Sequence, residues 1–130
     1  MTKEHKEYIR QWQFKANEDI NVIEYLSKED ISIFTSAICF HAQQAVEKFL
    51  KAFLVFHSID FKKTHDLDHL LSECKRINPE AFSCIDLKNL SEFGVNVRYP
   101  DDFIIPQVSE TIYFKELASR VKETVERLIS

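Results

Sequence analysis

A chain of 130 residues with a single glycine lacks the turn-making residues that many short strands would need, which argues against an all-β architecture. Cysteine is scarce and oddly counted. Cys39, Cys74 and Cys84 lie far apart with no CxxC pair, excluding a disulfide framework, a zinc ribbon and a redox dithiol, and they are expected to be reduced, mostly buried thiols. Positive charge is not in excess. The formal net charge of −4 provides no global basic field, so any nucleic-acid contact must rest on a local patch. No apolar run approaches bilayer length, and the opening MTKEHKEYIRQW is charged throughout with no signal-like apolar region. A soluble, cytoplasmic protein without membrane contact is the expectation. Glycine-rich phosphate loops, internal repeats and low-complexity tracts are also missing.

What is present is a helical composition. With 45% hydrophobic and 29% charged residues the chain has the material for one folded domain spanning residues 1–130, and it is too short for two independent cores. Ile9, Trp12, Ala16, Ile20 and Ile23 keep helical spacing and predict a first amphipathic helix over about residues 3–27. Ser27–Asp30 reads as a turn, with Asp30 capping a second helix over about residues 31–57. Leu67, Leu70, Leu71, Cys74 and Ile77 mark a third helix, capped by Thr64 and ended by Asn78-Pro79. A fourth is expected from Ser83 or Cys84 to about Arg98, with Ile85, Leu87, Leu90, Phe93 and Val97 as core positions, before Tyr99-Pro100 stops it. Phe114, Leu117, Ala118, Val121, Val125 and Leu128 form the face of a last helix that starts near Ser109. The fold class is therefore all-α, an up-and-down bundle of about five helices.

The second helix is apolar over most of its circumference, as a central helix should be. At about 100° per residue, His41, Glu47, Lys48 and Lys51 fall within roughly 60° of Gln44 on either side. Such a polar stripe must find water, a ligand, or polar groups from another helix or subunit, since unpaired buried polar groups are costly. Two ammonium groups, an amide and an imidazole suit a phosphate or a nucleobase edge. The competing interpretation is intramolecular or dimer pairing, because Glu47 and Lys51 stand at i, i+4 in the favourable order and lysine stems cover apolar surface.

The segments WQFKANEDI (Trp12–Ile20), CFHAQQAVEKFLKAFL (Cys39–Leu54), THDLDHLL (Thr64–Leu71) and VRYPDDF (Val97–Phe103) together resemble the HEPN domain, the "higher eukaryotes and prokaryotes nucleotide-binding" family. The resemblance covers nearly the whole chain in order. It implies a helical bundle that commonly forms homodimers, often beside a minimal nucleotidyltransferase in toxin–antitoxin-like pairs. Many members are metal-independent endoribonucleases that use an arginine followed, after four to six residues, by a histidine. Others lack that pair and serve as binding or regulatory modules. Here the positions that follow Arg98 at that spacing are Phe103, Ile104 and Ile105, and Arg10, Arg76, Arg120 and Arg127 have no such histidine either. The nuclease signature is absent.

His65 and His69 stand four apart, a spacing that can bind a metal, but no HExxH and no third ligand accompany them, so no metal and no cofactor are expected. His65 beside the helix start is read as making helix-start hydrogen bonds, or, through the family resemblance, as facing the central stripe. Arg98 is either a structural cap, an ion pair with Glu47, Asp101 or Asp102, or an arginine held near the stripe as in the family's RYP motif. No catalytic triad or acid–base carboxylate pair can be proposed from spacing. The sequence thus points to a non-catalytic binding module, a homodimer that takes a nucleotide, RNA or a minimal nucleotidyltransferase through His41, Gln44, Lys48, Lys51, His65 and Arg98. Two alternatives stand beside it. One is a divergent endoribonuclease in which Arg98 acts with His41 or His65, and the other is a purely structural helical dimer.

Overall fold

The computed structural model describes residues 1–61, 63–94 and 105–130, and all regular structure among them is helical. Helix α1 spans Lys3–Ser27, begins where the Thr2 hydroxyl accepts the His5 N–H at 3.0 Å, and buries Ile9, Ala16, Ile20 and Ile23 along one stripe. Helix α2, Thr35–Phe56, is the central element: fifteen of its 22 residues are buried, and it packs on α1, on the final helix and on α3, Leu67–Ile77. The last helix, α5 at Val108–Ile129, starts where the Glu110 carboxylate accepts the Gln107 N–H at 3.0 Å. It turns Phe114, Leu117, Ala118, Val121 and Val125 into the core, with Leu128 half-covered at its edge.

The boundaries differ from expectation where a short polar side chain captures the backbone. Asp30 does act as a cap, but for a separate 3₁₀ turn, Ile31–Ile33, in which its carboxylate accepts the Ser32 N–H at 3.0 Å and the Ser32 hydroxyl at 2.7 Å. Phe34 then leaves helical geometry, so α2 starts at Thr35 and not near residue 31. The cap of α3 is Asp66, which accepts from the Asp68 and His69 N–H groups. Thr64, expected in that role, accepts the Asp66 N–H one turn earlier.

The fourth predicted helix is the main correction. Asn78 accepts the Ala81 N–H at 3.1 Å and Pro79 occupies the first turn of a short helix, α4 at Pro79–Phe82, which drives Phe82 against Phe53 with ring centroids 5.0 Å apart. Beyond it the chain does not continue as a helix. Asp86 accepts the Lys88 N–H at 3.0 Å and Lys88 adopts a left-handed φ of 48°, a local arrangement that competes with helix formation. A 3₁₀ turn, Leu90–Phe93, follows. Ile85, Leu87, Leu90 and Phe93 are nonetheless buried as expected, because a spacing of two and then three residues suits a turn followed by a 3₁₀ repeat. Val97, Arg98, Tyr99 and Pro100 lie outside the described residues.

Candidate functional site

The polar stripe of α2 meets a different neighbour on each flank, and each neighbour completes a cluster centred on one carboxylate. On the flank facing α1 the carboxylate is Asp19. Its Oδ1 lies 2.8 Å from His41 Nδ1, and its Oδ2 accepts from Lys48 Nζ at 2.7 Å. Asp19 is buried on the apolar stripe of α1, between Ala16 and Ile23, and so is held in place by packing before it holds its partners. His41 and Lys48 remain part-exposed, at 28% and 21% of their side-chain area.

On the other flank the carboxylate is Glu47. Lys51 Nζ donates to Oε2 at 3.1 Å, Gln43 Nε2 donates to Oε1 at 3.3 Å, and His65 Nδ1 lies 3.0 Å from both oxygens. Gln44 Nε2 in turn donates to Gln43 Oε1 at 2.6 Å, which adds Gln44 to the Glu47 cluster. A carboxylate only accepts, so in both clusters the imidazole Nδ1 carries the proton, and the far nitrogen Nε2 faces away from the carboxylate. The His65 side chain is 65% exposed although its anchor Glu47 is buried.

Lys51 behaves differently from the other members of the sequence-derived set. It lies inside the protein with Glu47, with its Nζ 5.2 Å from the Trp12 ring centre and 5.3 Å from that of Phe61. Two aromatic faces and one carboxylate replace its hydration shell. It therefore orients Glu47 and does not present its ammonium to solvent. The indole nitrogen of the same Trp12 is buried with no hydrogen-bond partner among the described residues.

Four of the six residues singled out on sequence, namely Gln44, Lys48 and His41 on α2 and His65 at the entrance to α3, belong to the clusters' accessible or half-accessible parts, and Lys51 belongs to their buried base. The convergence of the α2 stripe with the start of α3 is thus observed. Convergence with Arg98 is not, since that residue lies outside the described part. His65 makes its hydrogen bond to the stripe, and Asp66 supplies the helix-start bonds that were also considered for it.

Three residues that hold these clusters, Asp19, Gln43 and Glu47, were missing from that set, although Glu47 lay on the predicted stripe. Asp19 had a readable signal, an acid at i+3 from Ala16 and i−4 from Ile23 on an otherwise apolar face. Gln43 is buried and its amide packs under Gly94, where an added Cβ would meet the Gln43 side chain at 3.2–3.3 Å. The chain's one glycine is therefore a point of close approach over this network. Burial pushes the Cys39 thiol up to about 11 and the Cys74 thiol up to about 12, while Cys84 is exposed. Neither buried thiol touches the stripe clusters: Cys39 donates to Thr111 and Cys74 to the Leu50 carbonyl.

No group of three or more His, Cys, Asp or Glu side chains suited to a metal ion occurs among the described residues. An open cleft of about 550 Å³ lined by Arg10, Gln11, Phe14, Lys15, Asn17 and Glu126, among others, shares no residue with the stripe. The accessible members of the stripe, His41, Gln44, Lys48 and His65, lie apart from that cleft, on part-exposed surface. No described helix is long and apolar enough to cross a membrane.

An all-helical bundle organised on one central helix, with an anchored polar stripe along that helix, defines the class of protein. The HEPN domain family model matches residues 9–130, and the chain belongs to that family. No curated protein and no solved structure matches the chain.

Proposed function

We propose that this HEPN domain is a non-catalytic binding and regulatory module whose ligand is a nucleotide or RNA. Its contact residues are His41, Gln44, Lys48 and His65, joined by Arg98, and Lys51 holds the base of the site. The observation that carries the reading is the stripe itself. Part-exposed His41 and Lys48 on α2 and exposed His65 ahead of α3 are each anchored by a buried carboxylate, so they are fixed in direction before any ligand arrives. Preorganised groups of this kind lose little side-chain entropy on binding.

The working unit is a homodimer, and a minimal nucleotidyltransferase of a toxin–antitoxin-like pair is the partner protein. Exposed Ile33, Ile105, Val108 and Ile112 support an interface, as large apolar side chains left in water favour being covered. Equilibrium sedimentation at micromolar protein tests the dimer, and co-purification with a nucleotidyltransferase encoded beside it tests the partner. Titration with single-stranded RNA and with nucleotides, read by calorimetry, tests the ligand. Absence of heat and of any thermal shift at millimolar ligand overturns the binding reading.

One observation favours a second reading, a divergent metal-independent endoribonuclease. His65 Nδ1 rests on the Glu47 carboxylate, the arrangement that fixes a ring tautomer and leaves Nε2 for proton transfer. In that reading the ribose 2′-hydroxyl attacks the adjacent phosphorus as Nε2 takes its proton, the P–O5′ bond breaks and the 5′-oxygen takes a proton from water, leaving a 2′,3′-cyclic phosphate and a 5′-hydroxyl, and Arg98 stabilises the phosphorane charge. Cleavage of single-stranded RNA in the presence of a chelator, lost in His65→Ala, selects this reading over the first.

A further inference from the structure

The basic groups of the stripe are already matched by acids. Asp19 neutralises Lys48 and Glu47 neutralises Lys51, so with both imidazoles uncharged these six side chains carry no net charge. A phosphate approaching the stripe then meets two carboxylates together with two ammonium groups, and one of those ammonium groups is buried. The lysines, which look on sequence like the anion contacts, are unable to provide a net attraction. The imidazoles can. Each is held through Nδ1, which leaves Nε2 on the far side of the ring, and the side chains are 28% exposed at His41 and 65% exposed at His65.

We propose that the anion-contacting atoms of this site are Nε2 of His41 and Nε2 of His65, so that a phosphate-bearing ligand is held when these imidazoles are protonated and released as they lose their protons. The inference rests on the binding reading above and adds both the contact atoms and the control. Protonation takes the six side chains from neutral to a charge of plus two without moving any of them, because each carboxylate already sits between an imidazole and an ammonium group. Imidazole is the side chain whose unperturbed charge change falls between about pH 5 and pH 8.

The neighbouring charges do not alter the direction. His41 faces Asp19 from α1 and Lys48 from its own helix, with the Phe40 ring 5.2 Å away. His65 faces Glu47 and, through it, Lys51 from α2, and is followed in sequence by Asp66, Asp68 and His69 at the start of α3. Lys62, Arg98, Asp101 and Asp102 lie outside the described residues; side chains of these types keep their charge from about pH 5.5 to pH 8, so they set the level of affinity and not its slope.

The test uses the full chain and two probes whose phosphates keep a constant charge across that range. Hexauridylate represents RNA and UDP-glucose represents a free nucleotide, and the tighter of the two identifies the source of the ligand. Kd is expected to fall about tenfold or more on going from about pH 8 to about pH 5.5, as two charges appear at contact distance on a part-exposed surface. His65→Gln, at a largely exposed side chain, should remove part of that change with an unaltered melting temperature, and the His41→Gln, His65→Gln pair should remove it. Equal affinity at both pH values, or a pH dependence that survives His65→Gln undiminished, overturns the inference while leaving the binding reading intact. Failure of both probes to bind at either pH overturns the two together.

Discussion

Lys51 Nζ lies 3.1 Å from Glu47 Oε2, with 6% and 4% of the two side chains exposed, so the centre of this helical bundle contains a buried ion pair one helical turn long. Removing one partner of such a pair strands a charge in the interior, whereas removing both charges does not. Lys51→Met is therefore expected to lower stability by about 3 kcal/mol, and the Glu47→Gln, Lys51→Met pair to recover a large part of that loss. Gln at position 47 keeps an acceptor for the Gln43 amide, which limits the double variant's cost. Urea unfolding of the four proteins closes the cycle. A single-variant loss below about 1 kcal/mol indicates a solvent-exposed pair.

Asp19 holds His41 and Lys48 at once, and its replacement separates stability from binding. Asp19→Asn keeps the shape and one acceptor but removes the charge that neutralises Lys48. Stability should fall by about 1–2 kcal/mol as the charge-assisted bonds are lost. Affinity for hexauridylate at about pH 8 should rise, since Lys48 then stands uncompensated on the stripe. A loss of affinity in parallel with stability assigns Asp19 to direct ligand contact.

Much of the architecture was legible because apolar spacing and helix length are sequence properties. The faces of α1, α3 and α5 follow Ile9 to Ile23, Leu67 to Cys74 and Phe114 to Val125 as expected. The failures were of two physical kinds. Around Asp86 a side chain competes locally with the helix, and the positions Ile85, Leu87, Leu90 and Phe93 satisfy a turn and a 3₁₀ repeat as well as they satisfy an α-helix. At Lys51 the helical wheel supplied a direction but not a depth: Trp12 and Phe61, brought in from α1 and from the loop after α2, close over an ammonium that the wheel places at the middle of a polar stripe. Depth depends on which partner covers a face, and that is settled by tertiary packing.

Gly94 is expected to accept a side chain only at a cost in stability. Its backbone lies so close to the Gln43 amide that a Cβ would sit 3.2 Å from Cδ and 3.3 Å from Nε2 and Oε1. The Gln43 side chain cannot retreat freely, because it is buried and bonded to both Glu47 and Gln44. Gly94→Ala should cost about 1–3 kcal/mol by overpacking and should loosen the bond that Gln43 donates to Glu47. Chemical-shift changes at the Gln43 side-chain amide, absent in the control Ser91→Ala at an exposed site, give the readout.

The thiols supply a test of burial that is independent of the stripe. Cys84 is exposed, whereas burial raises Cys39 to about 11 and Cys74 to about 12 from an ordinary value of 9.0. Near neutral pH one thiol in three should react with an aromatic disulfide reagent in the native protein, and all three after denaturation. Cys84→Ser should abolish the fast phase, and a fast phase that persists means the core around Cys39 or Cys74 opens readily. The same shifts set an alkaline limit on folding. Below 9.0 both states hold their thiol protons, and stability is unaffected by these groups. Between 9.0 and about 11 the unfolded chain releases protons that folded Cys39 and Cys74 keep, so the unfolded state gains and stability falls as pH rises. Replacing both with alanine costs packing, but it should flatten that alkaline decline, as followed by urea midpoints from about pH 8 to about pH 11.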